Sequence, residues 1–199
     1  DLSEKFIYFN DDMFLIKKSS PKEWFIENKA VLSGNWAKTY NIQPLKKISS
    51  MIKHVFKIRP SYNAAQSRSA NIAGFKREYF RSYHSGRPQI KSIIKSFYEK
   101  NPNMLKKQLK HKFRNDKQYM PYSLCWHLLI KEEKYVKVSK SKLVEIEKIR
   151  DYTPRKLKEL LNELDNNEEV KLLNIQDLNY ASEDTSMVFK NWFFNKLTH

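Results

Sequence analysis

The sequence contains very few of the residues that dominate turn-rich or disulfide-bonded folds. Its 199 residues include 3 glycines, 7 prolines and a single cysteine. So little glycine and proline argues against a turn-rich all-β fold and against a low-complexity linker. One cysteine excludes an internal disulfide and a multi-thiolate zinc site. The position of Cys125, between Leu124 and Trp126, predicts a buried and unreactive thiol.

Long hydrophobic runs are also missing. No stretch of about 18 apolar residues occurs, so we expect no helix that spans a membrane, and no signal peptide is recognisable. The cysteine usage favours a reducing cytoplasm. The chain starts at Asp1 rather than at a methionine, which predicts a fragment or a processed product.

Hydrophobic residues and positive charge are abundant. Hydrophobic residues make up 40% of the chain and aromatic residues 14%, which is enough for a folded core. The 38 Lys and Arg residues exceed the 22 Asp and Glu residues, giving a formal net charge of +16. Such an excess favours polyanionic partners without choosing among nucleic acid, anionic lipid and phosphorylated ligands. A lysine-rich genome bias is the alternative explanation.

Apolar residues recur at helical spacing in several segments, and each segment predicts an amphipathic helix. The capping pattern at Ser20 and Pro21 predicts one more helix, ending near residue 28. Residues 131–151 are highly charged and predict an exposed excursion. The basic segment 45–56 has either a solvated face or a face for a membrane or an acceptor polymer. The periodic segments are 45–56, 90–98, 104–109, 157–164 and 188–197.

Two predicted strands end in acidic residues. Residues 6–9 form a short apolar run, predicted as a buried strand, that leads into Asn10, Asp11 and Asp12, and residues 170–175 lead to Asp177. Ligands collect outside the carboxyl ends of strands in open α/β sheets. Carboxylates there suit Mg²⁺, which takes oxygen ligands and shares them with phosphates. The alternative is an ordinary turn, because Asn and Asp are common after strands.

Two further residues can carry chemistry. His84 lies on a predicted loop just before a helix, where a histidine can act as a general base near neutral pH. The alternative is an ordinary loop histidine. Arg114 can hold two oxygens of one phosphate, although one arginine among 38 basic residues is not specific by itself.

Residues 6–15 (FIYFNDDMFL), with Pro21, Trp24 and Phe25, open a series of motifs that runs to residues 173–177 (LNIQD). The order of these motifs resembles the Stealth family of sugar-phosphate transferases, and the first of them is similar to the end of its second conserved region. Residues 67–71 resemble its Ala-Arg-Asn-Ala-Asn segment. The third region is matched by His84, Pro88, residues 97–102 (FYEKNP), residues 112–114 (KFR) and residues 124–127 (LCWH). Residues 173–177 (LNIQD) look like the fourth region, with Gln176 where the family usually has asparagine.

The resemblance covers nearly the whole chain and implies its organisation. It places the end of the second region at 5–25, the third at 84–127 and the fourth at 172–197, within one catalytic domain over 1–199. The implied fold is α/β, the C-terminal part of a Rossmann-like core, mostly helical with few strands. The first region and most of the second have no counterpart here, so we expect activity to need those parts.

The resemblance also implies a reaction. The chain would move hexose- or N-acetylhexosamine-1-phosphate from a UDP-sugar to a sugar hydroxyl, forming a phosphodiester as in capsular polysaccharide synthesis. His84, Arg114 and Asp12 would be catalytic. Mg²⁺ or Mn²⁺ would bind at Asp11, Asp12 or Asp177. Substrate would contact Arg68, Asn71, Asn10 and His127.

The resemblance also implies binding partners and a cellular location. The expected partners are a nucleotide-sugar donor and a glycan acceptor, with a polyanionic acceptor and a peripheral membrane contact as further expectations. No nucleic acid is expected, and the place would be the cytoplasm or the inner face of a bacterial membrane. The rival class is a non-catalytic basic module that binds nucleic acid or another polyanion. The net charge and the interleaved Tyr79, Phe80 and Tyr83 fit that class.

Overall fold

The computed structural model describes residues 2–45, 48–49, 52, 61–112, 115, 117–138 and 143–197. The chain divides into two compact units. Unit 1 holds Asp1–Tyr8, Lys22–Tyr83 and Arg87–Lys140, and unit 2 holds Phe9–Pro21, His84–Gly86 and Ser141–His199. The sequence gives no sign of this division.

Helices make up 48% of the structure and strands 23%, so the predicted α/β class is confirmed at this level. The expectation of few strands is wrong, because the described residues form nine. In chain order the strands are β1 (Lys5–Tyr8), β2 (Met13–Leu15), β3 (Phe25–Ile26), β4 (Lys29–Lys38), β5 (Glu78–Ser82), β6 (Arg87–Ile90), β7 (Tyr135–Val138), β8 (Leu143–Ile146) and β9 (Leu172–Ile175). The helices are α1 (Tyr62–Ala73), α2 (Lys91–Lys100), α3 (Pro102–Leu109), α4 (Pro121–Lys131), α5 (Pro154–Asn166) and α6 (Glu183–Leu197).

Unit 1 is built around the long strand β4. This strand pairs antiparallel with β3 and β5 and parallel with β7, while β1 and β6 form a separate antiparallel pair. The core beside β4 contains the fully buried side chains of Leu32, Phe80, Trp126 and Leu129. Burying such large apolar groups is the main source of stability for a unit of this size.

Unit 2 is a three-stranded mixed sheet with two helices. The central strand β9 pairs parallel with β8 and antiparallel with β2. Thr153 caps the start of α5 by accepting a hydrogen bond from the backbone of Lys156, and Pro154 occupies the first turn. The apolar stripe of α5 and Phe189 of α6 belong to one buried cluster, which also contains residues of β8 and β9.

Several predicted elements are confirmed. Helices α2, α3, α5 and α6 and the buried strand β9 all lie where the periodicity places them. The predicted strand at residues 6–9 exists as β1, but its residues are half-buried or exposed rather than buried. Cys125 is a free, buried cysteine, and burial raises the pKa of its thiol to about 12.

Three predictions about local structure are wrong. His84 does not lie just before a helix, because residues Arg87–Ile90 form β6 between it and α2. The capping pattern at Ser20 opens a single 3₁₀ turn, Pro21–Glu23, because the next residues pair as β3 with the start of β4. The charged stretch 131–151 is no exposed excursion, since it contributes β7 and β8 and the fully buried Ile146 and Ile149. Most of the predicted helix 45–56 lies outside the described residues. Among described residues, no helix is long and apolar enough to cross a membrane.

Candidate functional site

Three polar side chains of unit 2 meet in one cluster. The Nδ1 atom of His84 lies 3.1 Å from Oε1 of Glu145 and 3.1 Å from Nε2 of Gln176. The Gln176 amide also donates to Oε1 of Glu145 at 2.8 Å. The side chains of His84 and Glu145 are 29% and 31% exposed, so solvent and ligands can reach the pair.

The strands of unit 2 bring this cluster to the carboxyl edge of their sheet. Glu145 is next to last in β8, and Gln176 directly follows β9, where its backbone N–H donates to Ile146 at 2.9 Å. Because β8 and β9 are parallel, their carboxyl ends lie at the same edge. This is the edge at which open α/β sheets bind ligands.

Asp12 reaches the same edge from the antiparallel strand β2. It directly precedes Met13, which pairs with Asn174 of β9. The backbone carbonyl of Asp12 accepts hydrogen bonds from the backbone of Ile175 at 2.9 Å and from the Asn174 amide at 3.0 Å. The structure therefore brings His84 and Asp12, which the sequence predicts as site residues, to one edge of unit 2.

The contacts around His84 determine which of its nitrogens carries the proton. Nδ1 cannot donate to Glu145 and also accept from Gln176. A deprotonated Nδ1 facing an ionised carboxylate oxygen at 3.1 Å would set two acceptors against each other. We therefore assign the proton to Nδ1, which donates to Glu145, while the Gln176 amide bonds to the carboxylate. A carboxylate in this position orients an imidazole and stabilises its protonated form.

Three residues in or next to these segments carry a buried oxygen that lacks a partner. Oδ1 of Asp12, Oδ1 of Asn174 and Oγ of Ser85 are each buried without a hydrogen-bond partner among the described residues. Asn174 is 0% and Ser85 2% exposed. A buried polar atom without a partner costs about 1–3 kcal/mol. The carboxylate oxygen of Asp12 and the carboxamide oxygen of Asn174 are both suited to a bound cation, because Mg²⁺ takes oxygen ligands.

The other predicted metal ligands differ from Asp12 in their exposure. Asp11 and Asp177 are both exposed, and Asp177 has a left-handed backbone at the end of the β9 segment. In the described part of the chain, no three His, Cys, Asp or Glu side chains form a group that could hold a metal ion. Asn10 accepts a turn hydrogen bond from Met13 through its backbone carbonyl. The structure thus supports Asp12 more than Asp11 or Asp177 as a ligand.

Two predicted substrate contacts lie on α1 in unit 1. The Nε–H of Arg68 donates to the Gln118 carbonyl at 2.8 Å, which joins α1 to the segment before α4. Asn71 accepts at its backbone carbonyl from Gly74 and Lys76, and its side-chain Oδ1 is buried without a partner among the described residues. Their roles in binding substrate remain predictions. Arg114 lies outside the described residues.

His127 is held inside unit 1 by its own chain. It is 0% exposed, its Nε2 accepts from the backbone of Phe80 at 2.9 Å, and its Nδ1–H donates to the Ser123 carbonyl at 2.6 Å. Burial lowers the pKa of its imidazole to about 4. Both ring nitrogens are occupied, so this geometry gives His127 a structural role and offers no support for the predicted contact with substrate.

Sequence reasoning missed Glu145 and gave Gln176 no role beyond a departure from the family pattern. Glu145 lies in the charged stretch that predicted an exposed excursion. The signal was the segment Leu143-Val144-Glu145-Ile146, in which β-branched and other apolar residues surround one carboxylate. A strand at that position would have placed its carboxylate beside Asn174 of β9.

Neither the protein-family models nor the curated proteins include a match for this chain. The resemblance to the Stealth family therefore rests on the order of the motifs alone.

Proposed function

We propose that this chain belongs to the catalytic domain of a sugar-1-phosphate transferase that uses a UDP-sugar donor and a sugar hydroxyl acceptor. The observation that carries the proposal is the His84–Glu145–Gln176 cluster at the carboxyl edge of the unit 2 sheet. In this proposal the cluster would supply a proton acceptor, and the buried oxygens of Asp12 and Asn174 would be ligands for a cation. A proton acceptor beside a cation site serves several kinds of reaction. Among these, the order of the Stealth-like motifs favours sugar-phosphate transfer.

In the proposed reaction, the acceptor hydroxyl attacks the phosphorus that carries the sugar. A bond forms between the hydroxyl oxygen and that phosphorus, the bond from phosphorus to the bridging oxygen breaks, and UMP leaves with the electron pair. His84 takes the hydroxyl proton while Glu145 stabilises the resulting imidazolium. Fixing the imidazole before the reaction reduces the entropy that must be lost in the transition state.

Asp12 and Asn174 are the residues that would hold Mg²⁺ or Mn²⁺, through their buried side-chain oxygens. A bound divalent ion would neutralise negative charge on a diphosphate. A module that only binds polyanions has no need of carboxylates at its phosphate site, because they repel such a ligand unless a cation is present. Catalysis would take place in the cytoplasm or at the inner face of a bacterial membrane.

Calorimetry separates this function from polyanion binding. The full-length gene product is titrated with UDP-N-acetylglucosamine in the presence of Mg²⁺ and, separately, with random-sequence RNA. We expect binding of the UDP-sugar that disappears in EDTA, and weak RNA binding that decreases with salt. Tight RNA binding without any heat from the UDP-sugar would contradict the transferase function and indicate a basic binding module instead.

A further inference from the structure

A line of exposed side chains runs along α6, outside the His84–Glu145–Gln176 cluster. Its members are Glu183, Met187, Lys190 and Phe194, which are spaced four, three and four positions apart. This spacing places side chains in one row on a helix. All four are exposed, and all four line a groove of about 460 Å³ in unit 2. We call this row the α6 stripe.

The helix α6 is apolar on both of its faces. Its inner face contributes Phe189 to the buried cluster of unit 2, and Val188 and Phe193 pack partly buried against that cluster. Met187 and Phe194 lie on the opposite face and are 52% and 61% exposed. A surface helix normally carries charged and polar residues on its outer face. Two large apolar side chains that line one exposed groove therefore indicate a surface that another molecule covers.

The two charges of the α6 stripe have opposite signs and flank Met187. Glu183 lies in the first turn of the helix, and Lys190 follows two turns later. Because a helix rises about 1.5 Å per residue, roughly 10 Å of helix axis separates the two residues, which is too far for an ion pair between them. Within the part of the chain that the structure describes, neither residue has another ion-pair partner. Both charges are therefore available to an incoming surface.

This arrangement of charges is complementary to itself when it is turned end to end. A surface that matches the α6 stripe must carry a positive charge opposite Glu183, an apolar centre opposite Met187 and a negative charge opposite Lys190. A second α6 helix that runs antiparallel to the first supplies these three groups in that order. Parallel packing would instead set like charges side by side, which is unfavourable.

We propose that the α6 stripe binds a second copy of this chain, with the two α6 helices antiparallel about a twofold axis beside Met187. Such an axis makes both copies use the same surface, so each interaction occurs twice. A row of four side chains is small beside the about 800 Å² per partner of a stable interface, so we expect a weak dimer. Association requires neither a UDP-sugar nor an acceptor, and the inference is independent of the proposed function.

The test measures self-association of charge-reversed variants. The full-length gene product is examined by sedimentation velocity at about 1 to about 100 μM, the range of a weak interface. Glu183→Lys and Lys190→Glu each set like charges against one another across the twofold axis, whereas the double variant restores opposite charges in reversed order. Lys158→Glu is the matched control, since Lys158 is an exposed lysine of α5 outside the groove.

We expect the wild type to dimerise, each single variant to raise Kd about tenfold because every change is made twice, and the double variant to return to within about threefold of the wild type. Lys158→Glu should change Kd less than about twofold. An equimolar mixture of the two single variants should associate more tightly than either alone.

Three results would overturn the proposal. The first is a wild type that stays monomeric over the whole range, including one that binds phosphatidylserine vesicles instead, which would assign the stripe to a lipid surface. The second is an equal loss of association in Lys158→Glu. The third is a double variant that associates no better than the single ones.

Discussion

Acidification should destabilise unit 1 through one buried histidine. Burial lowers the pKa of His127 from an ordinary value of 6.5 to about 4 in the folded state. As the pH falls below 6.5, the unfolded chain therefore takes up the proton before the folded chain does, and folding is opposed. A difference of one pKa unit is about 1.4 kcal/mol, so the loss is about 2 kcal/mol by pH 5 and about 3 kcal/mol below pH 4.

The matched variant is His127→Gln, which does not titrate and keeps an acceptor for the Phe80 N–H. Urea unfolding of both proteins at pH 7, 6 and 5, followed by tryptophan fluorescence, gives the free energy of unfolding. Unit 1 contains Trp24, Trp36 and Trp126, so this signal reports mainly on it. Carboxylates titrate alike in the two proteins, and their contribution cancels in the difference.

The wild type should be the more stable protein at pH 7, and its advantage should shrink by about 2 kcal/mol at pH 5. An advantage that does not change with pH would mean that the folded state binds the proton on His127 as readily as the unfolded state. The reasoning that burial excludes the charged imidazole would then be refuted.

Three further changes test other parts of the structure. Glu145→Gln should lower kcat for UMP release by at least roughly tenfold while the melting temperature stays near that of the wild type, because the carboxylate orients His84; a lowered melting temperature with normal kcat would make it a structural residue. EDTA should stop the transfer, and Mg²⁺ or Mn²⁺ should restore it. Asp12→Asn should raise the metal concentration needed for half-maximal activity. Full activity in EDTA would show that Asp12 is an ordinary turn residue. Thr153→Ala removes the cap of α5 and should cost about 1 kcal/mol in unfolding free energy, an effect that Thr153→Ser should largely avoid.

The sequence predicts best the elements whose residues repeat with a clear period. The stripe of leucines in α5 and the Thr153 cap specify that helix locally, and the structure confirms both. The strand β4 has no such signal, because its residues do not alternate cleanly between apolar and polar. Gly34 in its centre weakens the strand signal, although glycine is needed where β4 approaches the Arg81 carbonyl of β5.

The candidate site could be predicted only in part for a similar reason. His84 and Asp12 stand next to recognisable local features, a polar loop and the turn after an apolar run, although a strand rather than a helix follows His84 and Asp12 directly precedes β2. Glu145 acquires its importance from the pairing of β8 with β9, which joins residues about thirty positions apart. Such long-range pairing is set by the tertiary fold and leaves little trace in local composition.

The rate of UMP release by His84→Ala, compared with the wild type in the full-length gene product, tests the central claim most directly. His84 contacts Glu145 and Gln176 at the carboxyl edge of the unit 2 sheet, and the proposal makes it the base that takes the acceptor proton. Loss of a general base should lower kcat by roughly 10²–10⁴-fold with an unchanged melting temperature. A folded variant that releases UMP within a few-fold of the wild-type rate would contradict the account.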